Sequence, residues 1–249
     1  MRKAMIFPVP VLCGLLMQAC QSKPGATDEA QVAVQDTSVL SGRMADCRVE
    51  IEGLTFTQAL GRADTCVTVR PDGVLEFECG EKRDIFCDPN GKLSNNSLPI
   101  LLTAVDNSRP FTLTAKVTPG FTDEGLYNAA DLFVYANDTL WQKLCYEQDE
   151  RGNHRVVTVR TRGTSDDNNH QQLDVASVYL RISSDSHTLA SYYSLDKEEW
   201  HMVRLYKNDY PAELWLGVAS QCPQKGICTS LFSELSLTQD AVGDFRTGD

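Results

Sequence analysis

The sequence has few basic residues for its length. Its 249 residues include 23 Lys and Arg against 34 Asp and Glu, so the formal net charge is −11. An acidic surface repels a phosphate backbone, and this balance argues against nucleic acid as a partner. No stretch repeats apolar residues at helical spacing over three turns, which disfavours a helical fold. The sequence also has no nucleophile elbow for a Ser-His-Asp triad and no glycine-rich phosphate loop.

Metal-binding signatures are equally scarce. The four histidines are scattered along the chain, and the cysteines do not show the CxxC spacing of a structural zinc site. The oxygen-rich segment from Ser165 to His170 offers ligands for calcium, but it lacks the spacing and the central glycine of an EF-hand loop. We therefore interpret this segment as a solvated turn and expect no cofactor, with calcium as the alternative.

The N-terminus has the pattern of an export signal. Two basic residues precede an apolar stretch from Ala4 to Met17, which is too short and too interrupted by proline to span a bilayer. The run Leu16-Met17-Gln18-Ala19-Cys20 resembles the lipobox of bacterial lipoproteins. This resemblance implies removal of residues 1–19 and acylation of Cys20, whereas the alternative is a plain secretory signal. The lipoprotein interpretation predicts lipid anchoring to a membrane of the bacterial cell envelope, with the protein periplasmic or surface-exposed.

Alternating polar and apolar residues dominate the rest of the chain. The polar segment 20–47 predicts a flexible tether, and from Ile51 onward the period switches to two. The spacing of strand and turn signals predicts an all-β protein, a two-sheet antiparallel sandwich over residues 48–240 with a C-terminal tail at 241–249. The clearest strands are predicted at 111–117, 156–162, 178–183, 189–195 and 213–219. We expect a monomer without a second domain.

Seven cysteines follow Cys20, so at least one of them must stay unpaired. If the turn at residues 71–74 has two loop residues, Cys66 lies opposite Cys79 at disulfide distance, whereas a three-residue loop would break this register. Cys145 lies in the middle of a predicted strand and is the candidate for a free, buried thiol. The predicted disulfide pairs are Cys66–Cys79, Cys222–Cys228 and, from the cysteines that remain, Cys47–Cys87.

A family resemblance runs through the segment 111–237. The matching blocks are FTLTAKV at 111, YNAADLFVY at 127, WQKLCYE at 141, VVTVRTRGTSDD at 156, VYLRIS at 178, YYSLDKEEW at 192, MVRLY at 202 and LGVASQCP at 216. They resemble the uncharacterised concanavalin A-like lectin/glucanase domains described as "regulation of enolase" proteins, which are related to accessory modules of some glycoside hydrolases. The resemblance implies a two-sheet jelly roll with one concave face, and it implies no particular activity.

The chain departs from this family at positions where a ligand would lie. Asp131 stands where the family usually has Gly, Cys87 replaces an aromatic residue, and residues 167–170 replace a Trp. Ligand specificity therefore cannot be transferred from the family to this chain.

One predicted strand carries a pattern that suits a sugar ligand. Period two places Trp141, Lys143, Cys145 and Glu147 on a single face. An indole can stack on a sugar ring while the charged groups bind hydroxyls. The alternative is a core Trp141 above a cross-strand ion pair of Lys143 and Glu147.

A second strand adds Tyr179 and Arg181, which share a face in the segment 178–183. The family resemblance suggests Glu147 as the carboxylate partner of Arg181, in a contact that is either functional or structural. Tyr193 begins the segment that looks like the family's turn, in which Asp196 leads into a hairpin ending at Trp200. The predicted ligand-binding set is Trp141, Lys143, Glu147, Tyr179, Arg181 and Tyr193.

These features favour a noncatalytic, envelope-anchored protein that binds a glycan on the concave face of a jelly roll. A glycoside hydrolase or polysaccharide lyase is the first alternative, with Glu147 acting together with Asp166 or Asp196. The run Glu147-Gln148-Asp149-Glu150 lacks the spacer of the glucanase Glu-x-Asp-x-(x)-Glu motif, which counts against hydrolysis. The second alternative is an interaction subunit that binds another envelope protein through a sheet edge.

Overall fold

Strands dominate the computed structural model, which describes residues 43–249. In that range the strands, numbered along the chain, are β1 (Met44–Ile51), β2 (Leu54–Leu60), β3 (Val67–Val69), β4 (Leu75–Gly80), β5 (Ile85–Cys87), β6 (Ser94–Asn96), β7 (Ile100–Asp106), β8 (Phe111–Thr118), β9 (Ala129–Asn137), β10 (Leu140–Gln148), β11 (His154–Arg162), β12 (Thr164–Gln172), β13 (Val178–Ser184), β14 (Thr188–Ser194), β15 (His201–Lys207), β16 (Glu213–Gln221) and β17 (Ile227–Thr238). A 3-10 helix occupies Ala63–Thr65. Within this range no helix has the length and apolar character needed to cross a membrane.

Two large antiparallel sheets form the predicted jelly-roll sandwich. One sheet has eight strands in the order β1-β2-β7-β16-β9-β10-β11-β12, and the other has seven in the order β15-β14-β13-β8-β17-β4-β3. The short strands β5 and β6 pair with each other as a separate hairpin. Because apolar residues alternate along most strands, each sheet presents one apolar face to the core between the sheets. The prediction of an all-β, two-sheet antiparallel fold is therefore confirmed.

The two faces of β10 have different environments, and this difference positions the site. Gln142 donates a hydrogen bond from Nε2 to Ser191 Oγ of β14 at 2.7 Å, so its face of β10 looks toward the seven-stranded sheet. Side chains alternate along a strand, so Trp141, Lys143 and Glu147 point to the opposite, outer face of the eight-stranded sheet. The β5–β6 hairpin lies over this outer face, where the Cys87 N–H donates to Ser165 Oγ at 2.9 Å.

The folded region extends beyond both of its predicted boundaries. Strand β1 begins at Met44, so residues 44–47 belong to the sandwich and not to the tether. The segment 241–249 is packed on the seven-stranded sheet, where the Val242 N–H donates to Ser183 Oγ at 3.0 Å. The predicted signal peptide, the lipidation at Cys20 and residues 20–42 of the predicted tether lie outside the described residues. The segment 165–170, predicted as a turn, is part of β12.

The predicted disulfides are not formed, since all seven cysteines between residues 43 and 249 are free thiols. Strand β3 pairs with β4 in the register Val67 to Phe77, and three residues form the loop. The Glu78 N–H therefore donates a hydrogen bond to the Cys66 carbonyl, and Cys66 does not lie opposite Cys79. Strand β17 instead places Cys228 opposite Cys79. A single extra loop residue shifts a hairpin register and separates the expected partners.

The other two predicted pairs fail for different reasons. Cys47 lies in β1 and Cys87 lies beside β12, and these strands form opposite edges of the eight-stranded sheet. Cys222 and Cys228 are both buried, but Cys222 Sγ turns to the Lys225 carbonyl at 3.4 Å, whereas Cys228 Sγ turns to the Ala129 carbonyl at 3.9 Å. Cys145 is buried in β10 with a free thiol.

Candidate functional site

A pocket of about 540 Å³ opens between the outer face of the eight-stranded sheet and the β5–β6 hairpin. Its volume lies in the range of about 300–1,000 Å³ that is common for small-molecule sites. The sheet contributes Lys143, Glu147, Val157, Val159, Asp167 and Asn169. The hairpin side contributes Lys82, Asp84, Phe86, Leu93 and Asn95, and the rim is completed by Tyr127, Glu150, Gln221, Pro223 and Gln224.

Lys143 is the cation at the base of this pocket. Its Nζ lies 3.2 Å from Asp84 Oδ1 and donates to Gln221 Oε1 at 2.7 Å. Burial alone would lower the pKa of Lys143, but the carboxyl of Asp84 and the other acidic groups nearby raise it above its ordinary value. The ammonium therefore stays charged and connects the hairpin segment to the sheet.

Glu147 forms the next part of the same hydrogen-bonded chain. Gln221 Nε2 donates to Glu147 Oε2 at 2.9 Å and to the Tyr127 carbonyl at 2.7 Å. Burial raises the pKa of Glu147 to about 8, and the opposing effect of Lys143 does not cancel this shift. At neutral pH most of the Glu147 carboxyl is therefore protonated and can both donate and accept hydrogen bonds.

Asp131 lies behind the pocket wall on the same face of the sheet, opposite Cys145 in the β9–β10 register. Its side chain is fully buried, and neither carboxyl oxygen has a hydrogen-bond partner among residues 43–249. Burial raises the pKa of Asp131 to about 7, although Lys143 acts in the opposite direction. In the sequence, Asp131 stands out only as a departure from the family pattern and as a lone acidic residue within the apolar run of β9.

Trp141 is not a pocket residue, contrary to the prediction. Its side chain is 1% exposed, and its Nε1–H donates to the Asp138 carbonyl at 3.3 Å. The indole packs beside Phe133 with ring centroids 6.3 Å apart. The face assignment of β10 was correct, but the indole is covered, so it cannot stack on a sugar. The alternative ion pair is also corrected, because Lys143 pairs with Asp84 and not with Glu147.

Arg181 and Tyr179 lie on the outer face of the other sheet. The Arg181 guanidinium stacks on the Trp200 ring at 3.6 Å from its centroid and also contacts the Gly248 carbonyl. Tyr179 donates from its hydroxyl to Glu234 Oε1 at 2.7 Å. The two sheets separate Arg181 from Glu147, so the predicted pairing of these two residues is wrong.

The remaining predicted residues are also outside the pocket wall. Tyr193 is buried and stacks on His201 with ring centroids 4.9 Å apart. Asp196 caps a turn, where its Oδ1 accepts the N–H groups of Glu198 and Glu199 at 2.8 and 2.9 Å. Asp166 is exposed on the face of β12 opposite to Asp167, and its nearest cation is Arg204. Neither Asp166 nor Asp196 is positioned to act together with Glu147.

The pocket therefore offers a neutral acid, an amide and a buried ammonium beside two rings, those of Phe86 and Tyr127. Sequence reasoning found Lys143 and Glu147, but it missed Asp84 and Gln221, which contact them from distant parts of the chain. Among residues 43–249 no group of three or more His, Cys, Asp and Glu is arranged to hold a metal ion. The segment 165–170, interpreted from the sequence as a solvated turn with a calcium loop as the alternative, is instead part of strand β12.

Known proteins resemble this chain both in sequence and in structure. Residues 63–240 match the model of a family described as protein of unknown function (DUF1349). "Regulation of enolase protein 1" of Saccharomyces cerevisiae is 28% identical over 167 residues, which span 67% of this chain and 82% of that protein. A crystal structure of a functionally unknown protein from Saccharomyces cerevisiae has a TM-score of 0.64 and 25% identity, covering 73% of this chain and 95% of that one.

Glycoside hydrolases contain a similar sandwich as part of a longer chain. The GH43 protein BlXynB from Bacillus licheniformis, in a mutant form, has a TM-score of 0.58 at 12% identity, over 79% of this chain and 39% of that one. A structure described as Bacteroides ovatus Xyloglucan PUL GH43B has a TM-score of 0.55 at 14% identity, again over 79% and 39%. At this identity the likeness concerns the fold alone.

Proposed function

The chain belongs to the DUF1349 family of proteins of unknown function, and from this premise we propose that its outer-face pocket binds a saccharide without hydrolysing it. The observation that carries the proposal is the chain of hydrogen-bonding groups Lys143, Gln221 and Glu147 at the base of an open pocket. Sugar hydroxyls both donate and accept hydrogen bonds, so a mixed set of donors and acceptors suits them.

Two rings supply the apolar part of such a site. Phe86 lies on the hairpin side of the pocket and Tyr127 lies at its rim. A sugar has C–H faces that pack on aromatic rings, while its edges carry hydroxyls. The pocket therefore combines the two kinds of surface that a saccharide requires, although the indole of Trp141 does not take part.

The positions of Asp167, Asp84 and Asp131 argue against a hydrolytic pairing of any of them with Glu147. Hydrolases need two carboxyl groups about 5 Å or 6.5–9.5 Å apart across the scissile bond. Glu147 lies opposite Arg155 and Asp167 lies opposite Val159, so these residues are two strands and four residues apart. At standard sheet spacings this places their Cα atoms about 17 Å apart. Asp84 is occupied by Lys143 and Asp131 is fully buried, so neither supplies the second group.

Binding is tested with the full-length chain on an array of plant, host and bacterial glycans, followed by calorimetry on the best ligand. Neighbouring residues of β12 offer a matched pair, because Asn169 lines the pocket and Asn168 points to the opposite face. We expect Asn169→Ala to weaken binding about tenfold and Asn168→Ala to leave it unchanged. Failure of every glycan to bind, or equal effects of both variants, would remove the proposal.

We also propose that Cys20 is acylated and anchors the chain as a monomer at a membrane of the bacterial cell envelope. The motivating observation is the run Leu16-Met17-Gln18-Ala19-Cys20, which resembles a lipobox. Two or three acyl chains make such an anchor stable, since each buried methylene adds about 0.8 kcal/mol. Metabolic labelling with a radioactive fatty acid tests the anchor, with Cys20→Ser as the control. Label on both forms, or on neither, contradicts it.

A further inference from the structure

Acidic groups outnumber basic groups around the pocket. Asp84, Glu147, Glu150 and Asp167 line it, against Lys82 and Lys143. Asp131 adds a fifth carboxyl behind the wall, on the same face of the sheet. A pocket with this excess of carboxyls must bind protons or attract a cation, because uncompensated negative charge is costly away from water.

The internal cation does not compensate these carboxyls. The Lys143 side chain is 3% exposed, and its Nζ contacts Asp84 and Gln221. Its charge is therefore matched by Asp84 before any ligand enters. An anionic ligand would meet no free ammonium at the base of the pocket, and the overall charge of −11 would repel it further.

Two carboxyls near the base lack a counter-ion. Neither oxygen of Asp131 has a hydrogen-bond partner within the described residues, although the side chain is fully buried. Glu147 receives one amide hydrogen bond, from Gln221 to its Oε2. Unpartnered buried acids are rare in folded proteins, and Asp131 is therefore an observation independent of the acidic wall. Without a cation these two buried carboxyls tend to hold protons, so a cation that enters the pocket can take the place of a proton.

We propose, on the basis of the proposed saccharide site, that the preferred ligand is an amino sugar whose protonated amine lies beside Glu147. The ammonium supplies the counter-ion that Glu147 lacks and lowers the negative potential around Asp131. A metal ion is not the cation in this proposal, because no suitable group of three ligands exists among residues 43–249. Ligand ammonium groups require only carboxylates and hydrogen-bond acceptors.

Such binding is linked to proton release. Burial raises the pKa of Glu147 to about 8, so the empty pocket holds a proton on this carboxyl at neutral pH. When the ligand ammonium enters, Glu147 loses that proton to solvent and forms an ion pair with the amine. Asp84, Asp131, Asp167 and Lys143 face the same carboxyl and contribute to this equilibrium. A neutral sugar leaves the proton in place.

The experiment compares three β-1,4-linked disaccharides by calorimetry on the full-length protein. Di-glucosamine carries free amines, its N,N′-diacetyl form carries neutral amides, and cellobiose has hydroxyls at the same positions. At about pH 6, where the amines of the ligand are mostly protonated, we expect di-glucosamine to bind at least tenfold more tightly than the other two. At the same pH its binding enthalpy depends on the ionisation enthalpy of the buffer, whereas that of cellobiose does not.

Two isosteric variants test which carboxyl groups of the protein interact with the ammonium group of the ligand. Asp131→Asn touches no ligand, so we expect it to keep cellobiose affinity; it should reduce the preference for the amine at about pH 7, where Asp131 is about half ionised, more than at pH 6, where this carboxyl is mostly protonated. Glu147→Gln abolishes the proton release. Asp166→Asn removes a carboxylate from the opposite face of β12 and serves as the control, with the full preference retained.

The outcomes separate this inference from the proposed function. Equal affinity for the three disaccharides, or tighter binding of the diacetyl form, overturns the amino-sugar inference and leaves saccharide binding intact. Binding of di-glucosamine without proton release overturns the role of Glu147. If no saccharide binds, the proposed function fails and this inference fails with it.

Discussion

The outer faces of the two sheets carry similar residue types, but they differ in what covers those residues. On the eight-stranded sheet, Lys143 and Glu147 line a pocket beneath the β5–β6 hairpin. On the seven-stranded sheet, Arg181 and Trp200 are covered by the C-terminal segment, which contacts Arg181 through the Gly248 carbonyl. A charged side chain beside an aromatic ring therefore does not identify a binding site. The segment that lies over the pair decides whether a ligand has access.

The covered face is closed by the chain itself. Val242 and Phe245 pack against a small cluster of Ala190, Tyr192 and Trp200, and Tyr192 donates from its hydroxyl to the Phe245 carbonyl at 2.9 Å. The C-terminal segment thus occupies the position that a ligand would need. On the open face, the hairpin is held at one side by the contact between Lys143 and Asp84, and space remains beside it.

The largest expected effect concerns Trp141, which shares a face of β10 with Lys143 but is buried. Trp141→Ala should lower the free energy of unfolding by about 3–5 kcal/mol, because it leaves a cavity in a packed region. Urea denaturation measures this change. Leu195→Ala, at a half-exposed position, is the control and should change stability by less than about 0.5 kcal/mol. A loss below about 1 kcal/mol for Trp141→Ala would mean that the indole is not in the core.

Lys143→Met should have the next largest effect, a loss of about 3 kcal/mol at neutral pH, because Asp84 is left without its counter-ion. Lys197→Met removes the exposed pair with Glu234 and should cost at most about 0.5 kcal/mol. Equal losses in the two variants would contradict the structural role of Lys143.

The buried carboxyls should differ in how they make the free energy of unfolding depend on pH. Asp131 and Glu147 have pKa values of about 7 and 8 in the folded protein, above their ordinary values, because burial disfavours their charged forms. The folded state therefore binds more protons than the unfolded state, and stability falls as the pH rises from about 4 to 8. Each group contributes at most about 1.4 kcal/mol per pH unit.

Asp149 should have the opposite effect. Burial would raise its pKa, but the N–H groups of Asn153 and Arg151 and the Arg155 side chain lower the pKa to about 2. Its contribution to stability is present above about pH 4 and is lost as the pH falls toward 2. Denaturation midpoints between pH 2 and 9 test both signs. Asp131→Asn and Glu147→Gln should flatten the slope above pH 5, and an unchanged slope would contradict the assignment.

The smallest expected effect is on the covered face. Arg181→Ala removes the stacking on Trp200 and should cost about 1 kcal/mol, which denaturant unfolding can resolve. Saccharide binding should be unaffected, because Arg181 lies on the other sheet. Tyr179→Phe, which removes only an exposed hydroxyl, is the matched control with almost no effect. A loss of binding in Arg181→Ala with normal stability would transfer the site to the seven-stranded sheet.

The sequence predicted the fold class and the strand positions well, because period two is a local property. Predicted strands at 111–117 and 156–162 correspond to β8 and β11. The same alternation correctly placed Lys143 and Glu147 on one face of β10. The prediction of Cys66 opposite Cys79 failed because one additional loop residue changes the register of the hairpin. The alternation of polar and apolar residues was sufficient to predict which face of a strand a side chain occupies. It was not sufficient to predict how neighbouring strands align.

The candidate site was only partly predictable, because its key contacts join distant segments. Asp84 and Gln221 reach Lys143 from 59 and 78 residues away along the chain. No spacing rule connects such positions. The predicted partners of Glu147, which were Arg181, Asp166 and Asp196, lie on another sheet, on the opposite strand face and in an exposed turn.

The sequence by itself determined the all-β sandwich, the acidic character of the chain and the face on which each β10 side chain lies, because these depend on composition and on the two-residue repeat of a strand. Tertiary structure decided which of those side chains meet a ligand. Burial, counter-ions and covering segments depend on contacts between residues far apart in the chain. The same folding that seals Trp141 leaves Glu147 beside an open pocket.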